Sequence, residues 1–219
     1  MNNRTPQRLI LAACAAVLMT SALTACIPLV AGGMASGALL ATDRRTSGAQ
    51  LEDEGIELRA LNRIRGNIGE RVHVNLTSYN RQVLLTGEVP SAQDKAAVEQ
   101  IVSRVENVGG VVNDLEVASA STLGQRSSDT LVTGRVKAAL IEARDLQSNA
   151  FKVVTERGVV YLMGRVTQRE ADRATVVARS TTDVQKVVRV FEIISEAELA
   201  GLQPAPAKAP VTDTKPTLN

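Results

Sequence analysis

Aromatic side chains are nearly missing from this chain of 219 residues: two Phe, two Tyr and no Trp make up 2% of it. That scarcity argues against carbohydrate platforms and against stacking on single-stranded nucleic acid, which both need flat apolar faces. One His, two Cys and four Met leave almost no material for a cage of soft metal ligands, so zinc, iron and copper sites are disfavoured. Catalytic triads are equally hard to assemble, and no enzymatic activity is expected. Hydrophobic residues at 44% and charged residues at 22% nevertheless exclude disorder throughout, and the length suits one large domain or two small ones.

Excess charge of one sign is also lacking once the N-terminus is considered. Arg4 and Arg8 precede an uncharged, mostly apolar run from Leu9 to Ala25 that closes in Leu23-Thr24-Ala25-Cys26, the pattern of a secretion signal. The run is near the lower limit of a bilayer span, so a signal anchor with an unmodified Cys is the alternative. Leu, two small residues and Cys resemble the lipobox of bacterial lipoproteins, which implies cleavage after residue 25 and diacylation of Cys26. No other cofactor is expected. Loss of residues 1–25 removes two of 25 basic residues and none of 23 acidic ones, leaving 23 of each. Nucleic acid is therefore disfavoured as a partner on bulk charge. Cys14 leaves with the signal and Cys26 is occupied, so no internal disulfide is available and stability must come from packing. Ile27 follows the Cys in place of the Asp that resembles an inner-membrane retention signal, which favours the outer membrane.

Residues 26–52 begin apolar and small and turn polar at Asp43, Arg44 and Arg45; they read as a lipidated tether near the membrane surface. Residues 195–219 hold Pro204, Pro206, Pro210 and Pro216 among Ala, Lys and Thr, and read as a disordered tail. Between these ends the chain repeats. Val83-Leu84-Leu85-Thr86-Gly87-Glu88-Val89 matches Val160-Tyr161-Leu162-Met163-Gly164-Arg165-Val166, and the stretch from Val111 to Val117 matches that from Val187 to Ile193. A period this long indicates two tandem domains, expected over 53–118 and 129–194 with a Ser-rich linker at 119–128.

Each unit reads as αββαβ. An amphipathic helix (Glu54 to Ile68; Asp129 to Ala143) is followed by an alternating strand with Val72, Val74 and Leu76, or Phe151, Val153 and Thr155, on one face. A turn leads to the Gly-bearing strand. Ser91 with Asp94, and Thr167 with Glu170, read as capping boxes of a second helix, and a Val-rich strand closes the unit. The fold class is α+β: two tandem αββαβ domains, each a three-stranded sheet packed by two helices. This combination resembles the BON domain, and two of them behind a lipobox are similar to the dual-BON outer-membrane lipoproteins. The resemblance implies a lipid-anchored protein of the outer membrane facing the periplasm. It also implies binding of anionic phospholipids (phosphatidylglycerol, cardiolipin) through the second domain, and a role in envelope integrity at division sites.

One surface carries a functional signature of its own. Along the helix beginning at Asp129, Val132, Val136, Ala139, Leu140 and Ala143 form a normal core stripe. Leu131, Gly134, Ala138 and Ile141 form a second apolar stripe on nearly the opposite side, flanked by Arg135 and Lys137. The equivalent back of the first domain's helix is polar, with Arg59, Asn62, Arg63 and Gly66. The candidate phospholipid site is thus Leu131, Gly134, Arg135, Val136, Lys137, Ala138 and Ile141. The alternatives are that this stripe packs against the other domain or the linker, or is a scatter of exposed apolar residues. Relatives often carry an aromatic residue where Leu131 stands, so this chain departs from the family there. By resemblance, Leu76 and Tyr79 are accessory candidates that approach the second domain or the lipid site, although core and turn are their ordinary roles.

Other features suggest ordinary roles. His73 lies opposite the apolar face of its strand. Glu52, Asp53 and Glu54 read as N-terminal helix charge. Gly109-Gly110 precedes a strand, not a helix, and so is no phosphate loop. A protein-interaction scaffold, holding an envelope enzyme or assembly factor through the first domain or the tail, is the competing function.

Overall fold

The computed structural model describes residues 43–202. Cys26, most of the tether and the proline-bearing part of the tail lie outside the described residues. The elements run α1 (Ser47–Ile68), β1 (His73–Tyr79), β2 (Gln82–Val89), α2 (Ala92–Ser103), β3 (Gly110–Asn113), β4 (Glu116–Val117), α3 (Leu123–Glu142), β5 (Lys152–Glu156), β6 (Val159–Val166), α4 (Gln168–Arg179), β7 (Lys186–Ile193) and α5 (Glu196–Leu202). The expected αββαβ order appears twice. In the first sheet β1 pairs antiparallel with β2, and β3 and β4 pair parallel with β2 as two pieces of one interrupted strand. In the second sheet β6 runs antiparallel to β5 and parallel to an unbroken β7.

Three boundaries and one cap differ from expectation. Thr46 caps α1 through its hydroxyl, which accepts from the Ala49 N–H at 3.1 Å, so the helix starts at Ser47 and consumes the end of the supposed tether. Thr122 and Gln125 form a reciprocal capping box, so α3 begins at Leu123 and the linker shrinks to about 118–122. The tail opens with α5, which buries Leu199. Ser91 caps α2, yet the Asp94 carboxylate turns to the Ser91 hydroxyl and to Arg71, leaving the reciprocal box incomplete; Thr167 and Glu170 complete theirs.

Burial of apolar side chains at about 1.5–3 kcal/mol each drives three separate clusters. Ile56, Ala60, Ile64, Leu76, Val83, Leu85, Val98 and Val102 fill the space between the first sheet and its helices. Val132, Val136, Leu140, Phe151, Val153, Val160, Leu162 and Val177 do the same in the second domain. Tyr79, Leu84, Tyr161, Met163 and Val190 form the third, from the opposite faces of both sheets. The sheets therefore pack on each other with helices outside. That is why β2 and β6 read as unbroken apolar runs: both of their faces are covered.

The repeated glycines have a steric cause. A Cβ on Gly87, whose φ is +105°, would stand 2.2 Å from the His73 carbonyl oxygen, and one on Gly164 would stand 2.4 Å from that of Ala150. Any side chain there would push the neighbouring backbone away.

Candidate membrane-facing site

Asp129 fixes the inner side of α3. Its two carboxylate oxygens accept from the backbone N–H groups of Arg157 and Gly158, both at 2.8 Å. These are the turn residues between β5 and β6, both in the left-handed region. Val132, Val136 and Leu140 then bury completely, and the Thr133 hydroxyl meets that of Thr155 at 2.7 Å. With this face committed, a period of 3.6 residues sends the other stripe outward.

The outward stripe is bare. Leu131 is 62% exposed and Ile141 is 68% exposed, and Gly134, Arg135, Lys137 and Ala138 are exposed with them. Neither the first domain nor the linker covers Leu131 or Ile141, so the alternative of internal packing is excluded for both. Because α3 starts earlier than expected, Leu123, 80% exposed, joins the same face. Sequence reasoning missed it by assigning 119–128 to a linker; the Thr122–Gln125 spacing was the signal. From Leu123 to Ile141 the stripe runs about 27 Å, with Ser127, Gly134 and Ala138 as its small residues. Val136 must be removed from the candidate site: it is fully buried in the second core. Its place between two exposed cations is a place in sequence only.

The cations at the rim are not equivalent. Arg135 is paired with Asp183 of the loop between α4 and β7, both about half exposed. Such exposed pairs contribute about 0.2–1 kcal/mol, so the Arg135 guanidinium is readily given up to another anion. Lys137 makes no ion pair among the described residues. A bared aliphatic row beside such charges can enter an apolar layer while its rim meets phosphates.

The accessory candidates lie elsewhere. Leu76 belongs to the first core and Tyr79 to the inter-sheet cluster, and neither residue is part of the outer face of α3. His73 faces a polar seam between the domains and bonds Glu88 at 2.8 Å. Burial pushes the Glu88 carboxyl up, yet bonds from His73, the Ser121 backbone and Arg157 outweigh it and hold Glu88 below the usual carboxylate range. Asn75 donates to Glu156 at 2.6 Å, and Tyr161 to Asp114 at 2.8 Å, across the same seam. Asp53 is not the helix-end charge that the sequence suggests. It sits inside α1 and accepts from the Ser78 hydroxyl and from the N–H groups of Asn80 and Arg81, at 2.6–2.8 Å, holding the β1–β2 turn as Asp129 holds its own.

The outer back of α1 also differs from the fully polar surface expected. Leu51 and Leu58 are exposed at 71% and 63%, although Glu54, Asn62 and Arg65 interrupt their face. No described helix is long and apolar enough to cross a membrane, and no described cluster of His, Cys, Asp and Glu could hold a metal ion.

The BON domain model matches residues 53–119 and 128–195. The outer membrane lipoprotein DolP of Haemophilus influenzae is 36% identical over 174 residues, covering 78% of this chain and 90% of that one. A 21 kDa hemolysin of Actinobacillus pleuropneumoniae is 29% identical over 154 residues, 69% of this chain and 79% of that one. The osmotically-inducible protein Y of Escherichia coli is 30% identical over 117 residues, 52% of this chain and 58% of that one.

Proposed function

The chain belongs to the BON-domain family, as a dual-BON lipoprotein of the DolP type, and from that premise we propose that it binds anionic phospholipid through the outer face of α3. In this reading Cys26 carries the covalent lipid, the folded part faces the periplasm from the outer membrane, and the protein supports envelope integrity, at division sites among other places. The observation that carries it is the bare row of Leu123, Leu131 and Ile141 on a helix whose opposite face is fully committed to its own core. Each large aliphatic contributes about 1.5–3 kcal/mol on full burial, and each cation about 1 kcal/mol near an anionic leaflet. Two or three acyl chains at Cys26 hold the molecule at a membrane; α3 then selects lipid composition.

Flotation of the mature chain with Cys26→Ser, with vesicles of phosphatidylcholine alone or with added phosphatidylglycerol or cardiolipin, tests the reading. Binding is expected only with the anionic lipids and is expected to disappear in Leu131→Glu. Equal flotation of that variant and its parent would remove the assignment.

A second reading, a protein-interaction scaffold, is favoured by the exposed Leu51 and Leu58 on α1. Charges interleaved with leucines suit a protein partner better than an acyl layer. Crosslinking from Arg63 that captures one dominant envelope protein, with vesicle binding unchanged in Leu131→Glu, would support it.

A further inference from the structure

Two adjacent arginines upstream of α1 point into different domains. The Arg44 guanidinium donates to both carboxylate oxygens of Glu170 at 2.7 and 2.8 Å, to the Arg165 carbonyl at 2.9 Å and to Gln147 Oε1 at 3.2 Å. The side chains of Arg44 and Glu170 are each only 4% exposed. Arg165 returns a bond to the Arg44 carbonyl at 3.3 Å. Arg45 turns the other way: it donates to Asp53 and Asp43, both at 2.9 Å, and lies 4.2 Å over the ring of Tyr79. Residues expected to be loose tether are thus built into the body of the molecule.

The partners are chosen at structurally fixed places. Glu170 is the acid of the α4 capping box, Gln147 lies five residues past the end of α3, and Asp53 holds the β1–β2 turn. Burial pushes the Glu170 carboxyl up, but Arg44 and the Thr167 N–H outweigh it and leave it below the usual carboxylate range. A buried bidentate pair is a weak source of net stability, because desolvation offsets attraction; what it supplies is a single geometry. The chain is consequently tied to the second domain, beside the end of α3, before it forms the first.

We propose that Arg44 and Arg45 are a clasp that makes the exit of the tether part of the folded body and thereby positions α3 against the bilayer to which the chain is attached. The proposal rests on the lipid-facing reading of α3, for which Arg44 is a positioning residue that touches no lipid. With a tether free up to Thr46, the anchored molecule would present all of its faces to the membrane in turn. The lipid anchor makes the second contact intramolecular in either case; holding the exit beside α3 shortens and orients the free chain between them, so its effective concentration rises.

The test compares anchored with unanchored protein. The full mature chain, lipidated at Cys26, is placed in vesicles containing phosphatidylglycerol, with an environment-sensitive fluorophore on Ala138→Cys, the sole free thiol. Arg44→Met with Glu170→Gln removes the clasp without leaving a buried charge. Insertion of the probe is expected to fall by about threefold or more in this lipidated double variant. The Cys26→Ser forms, with and without the double substitution, should float equally. Unchanged insertion in the lipidated variant overturns the proposal, and so does an equal loss in both forms, which would reduce the clasp to a structural prop. Insertion abolished by Leu131→Glu but kept without the clasp would leave the lipid reading standing and remove the clasp. No insertion in the wild-type chain would remove both.

Discussion

The helices α1 and α3 hold the same place in two copies of one fold, and they agree on the inside while parting on the outside. Inward, each buries an aliphatic stripe and uses one carboxylate, Asp53 or Asp129, to hold the hairpin turn of its own sheet. Outward, α1 breaks its exposed leucines with Glu54, Asn62 and Arg65, whereas α3 separates its aliphatics with Ser127, Gly134 and Ala138. Folding constrains the first set of residues in both repeats alike. The second set is free of that constraint, so a difference there reports on what each domain meets.

The largest effects should come from the shared side. Asp53→Ala strands four donors that the carboxylate now satisfies, from Ser78, Asn80, Arg81 and Arg45, and Asp129→Ala strands two. A loss of about 3 kcal/mol or more is expected for the first and about 2 kcal/mol for the second in urea denaturation. A reversed order would mean that the two turns are not held by the same device. Asp53 adds a pH signature. Burial pushes its carboxyl up, but bonds from Ser78, the Arg81 N–H and Arg45 prevail and hold it below the usual aspartate range. Its stabilisation is therefore complete above about pH 4, the unfolded value, and lost as pH falls through the lower folded value. Asp53→Asn should flatten that acid limb.

The outward difference is the next to be tested. Leu131→Glu on α3 is expected to lower binding to phosphatidylglycerol vesicles by at least about tenfold, the loss of one buried aliphatic. Leu58→Glu on α1, equally exposed in the free protein, should leave binding unchanged. Similar losses in both would erase the distinction between the helices and make both faces lipid-binding.

Smaller still is the effect of the rim. Lys137→Ala is expected to weaken vesicle binding by about fivefold at low salt, in keeping with about 1 kcal/mol per cation near an anionic leaflet, and by less as salt is raised. Arg135→Ala should cost less, because Asp183 already occupies its guanidinium. If Arg135 proves the more costly, the ion pair is not a competitor of the phosphate.

The inside of both domains was legible because burial imposes periods that composition reveals: 3.6 in the helices, 2 in β1 and β5, and an unbroken run where both faces are covered. The bare stripe of α3 was legible for the same reason, as apolar residues left over after the core had taken its share. Leu123 was missed because a Ser-rich, Gly-containing stretch has low helix propensity, which the Thr122–Gln125 capping box overrides. The roles of Asp53, Arg44 and Arg45 were illegible, since each depends on partners far along the chain: Arg81, Glu170 and Tyr79 are brought to them only by the packing of the sheets. Val136 shows the converse error, in which neighbours in sequence were treated as neighbours on a surface.

The smallest predicted effect discriminates most finely between the two helices. Gly134 on α3 and Gly66 on α1 both face open space, where an added Cβ meets nothing within 4 Å. On propensity alone, Gly134→Ala and Gly66→Ala should each stabilise the protein by about 0.5–1 kcal/mol, measured as a higher urea midpoint with an unchanged slope. The two are distinguished by the bilayer. If the α3 backbone lies against the lipid surface, a methyl group at 134 opens a gap that forfeits part of the contact attraction and lowers vesicle affinity by about twofold despite the more stable helix, while the same change at 66 leaves affinity alone. Equal affinity in both variants would mean that Gly134 is only a weak point of its helix, and that Leu123, Leu131 and Ile141 carry the contact without close approach of the main chain.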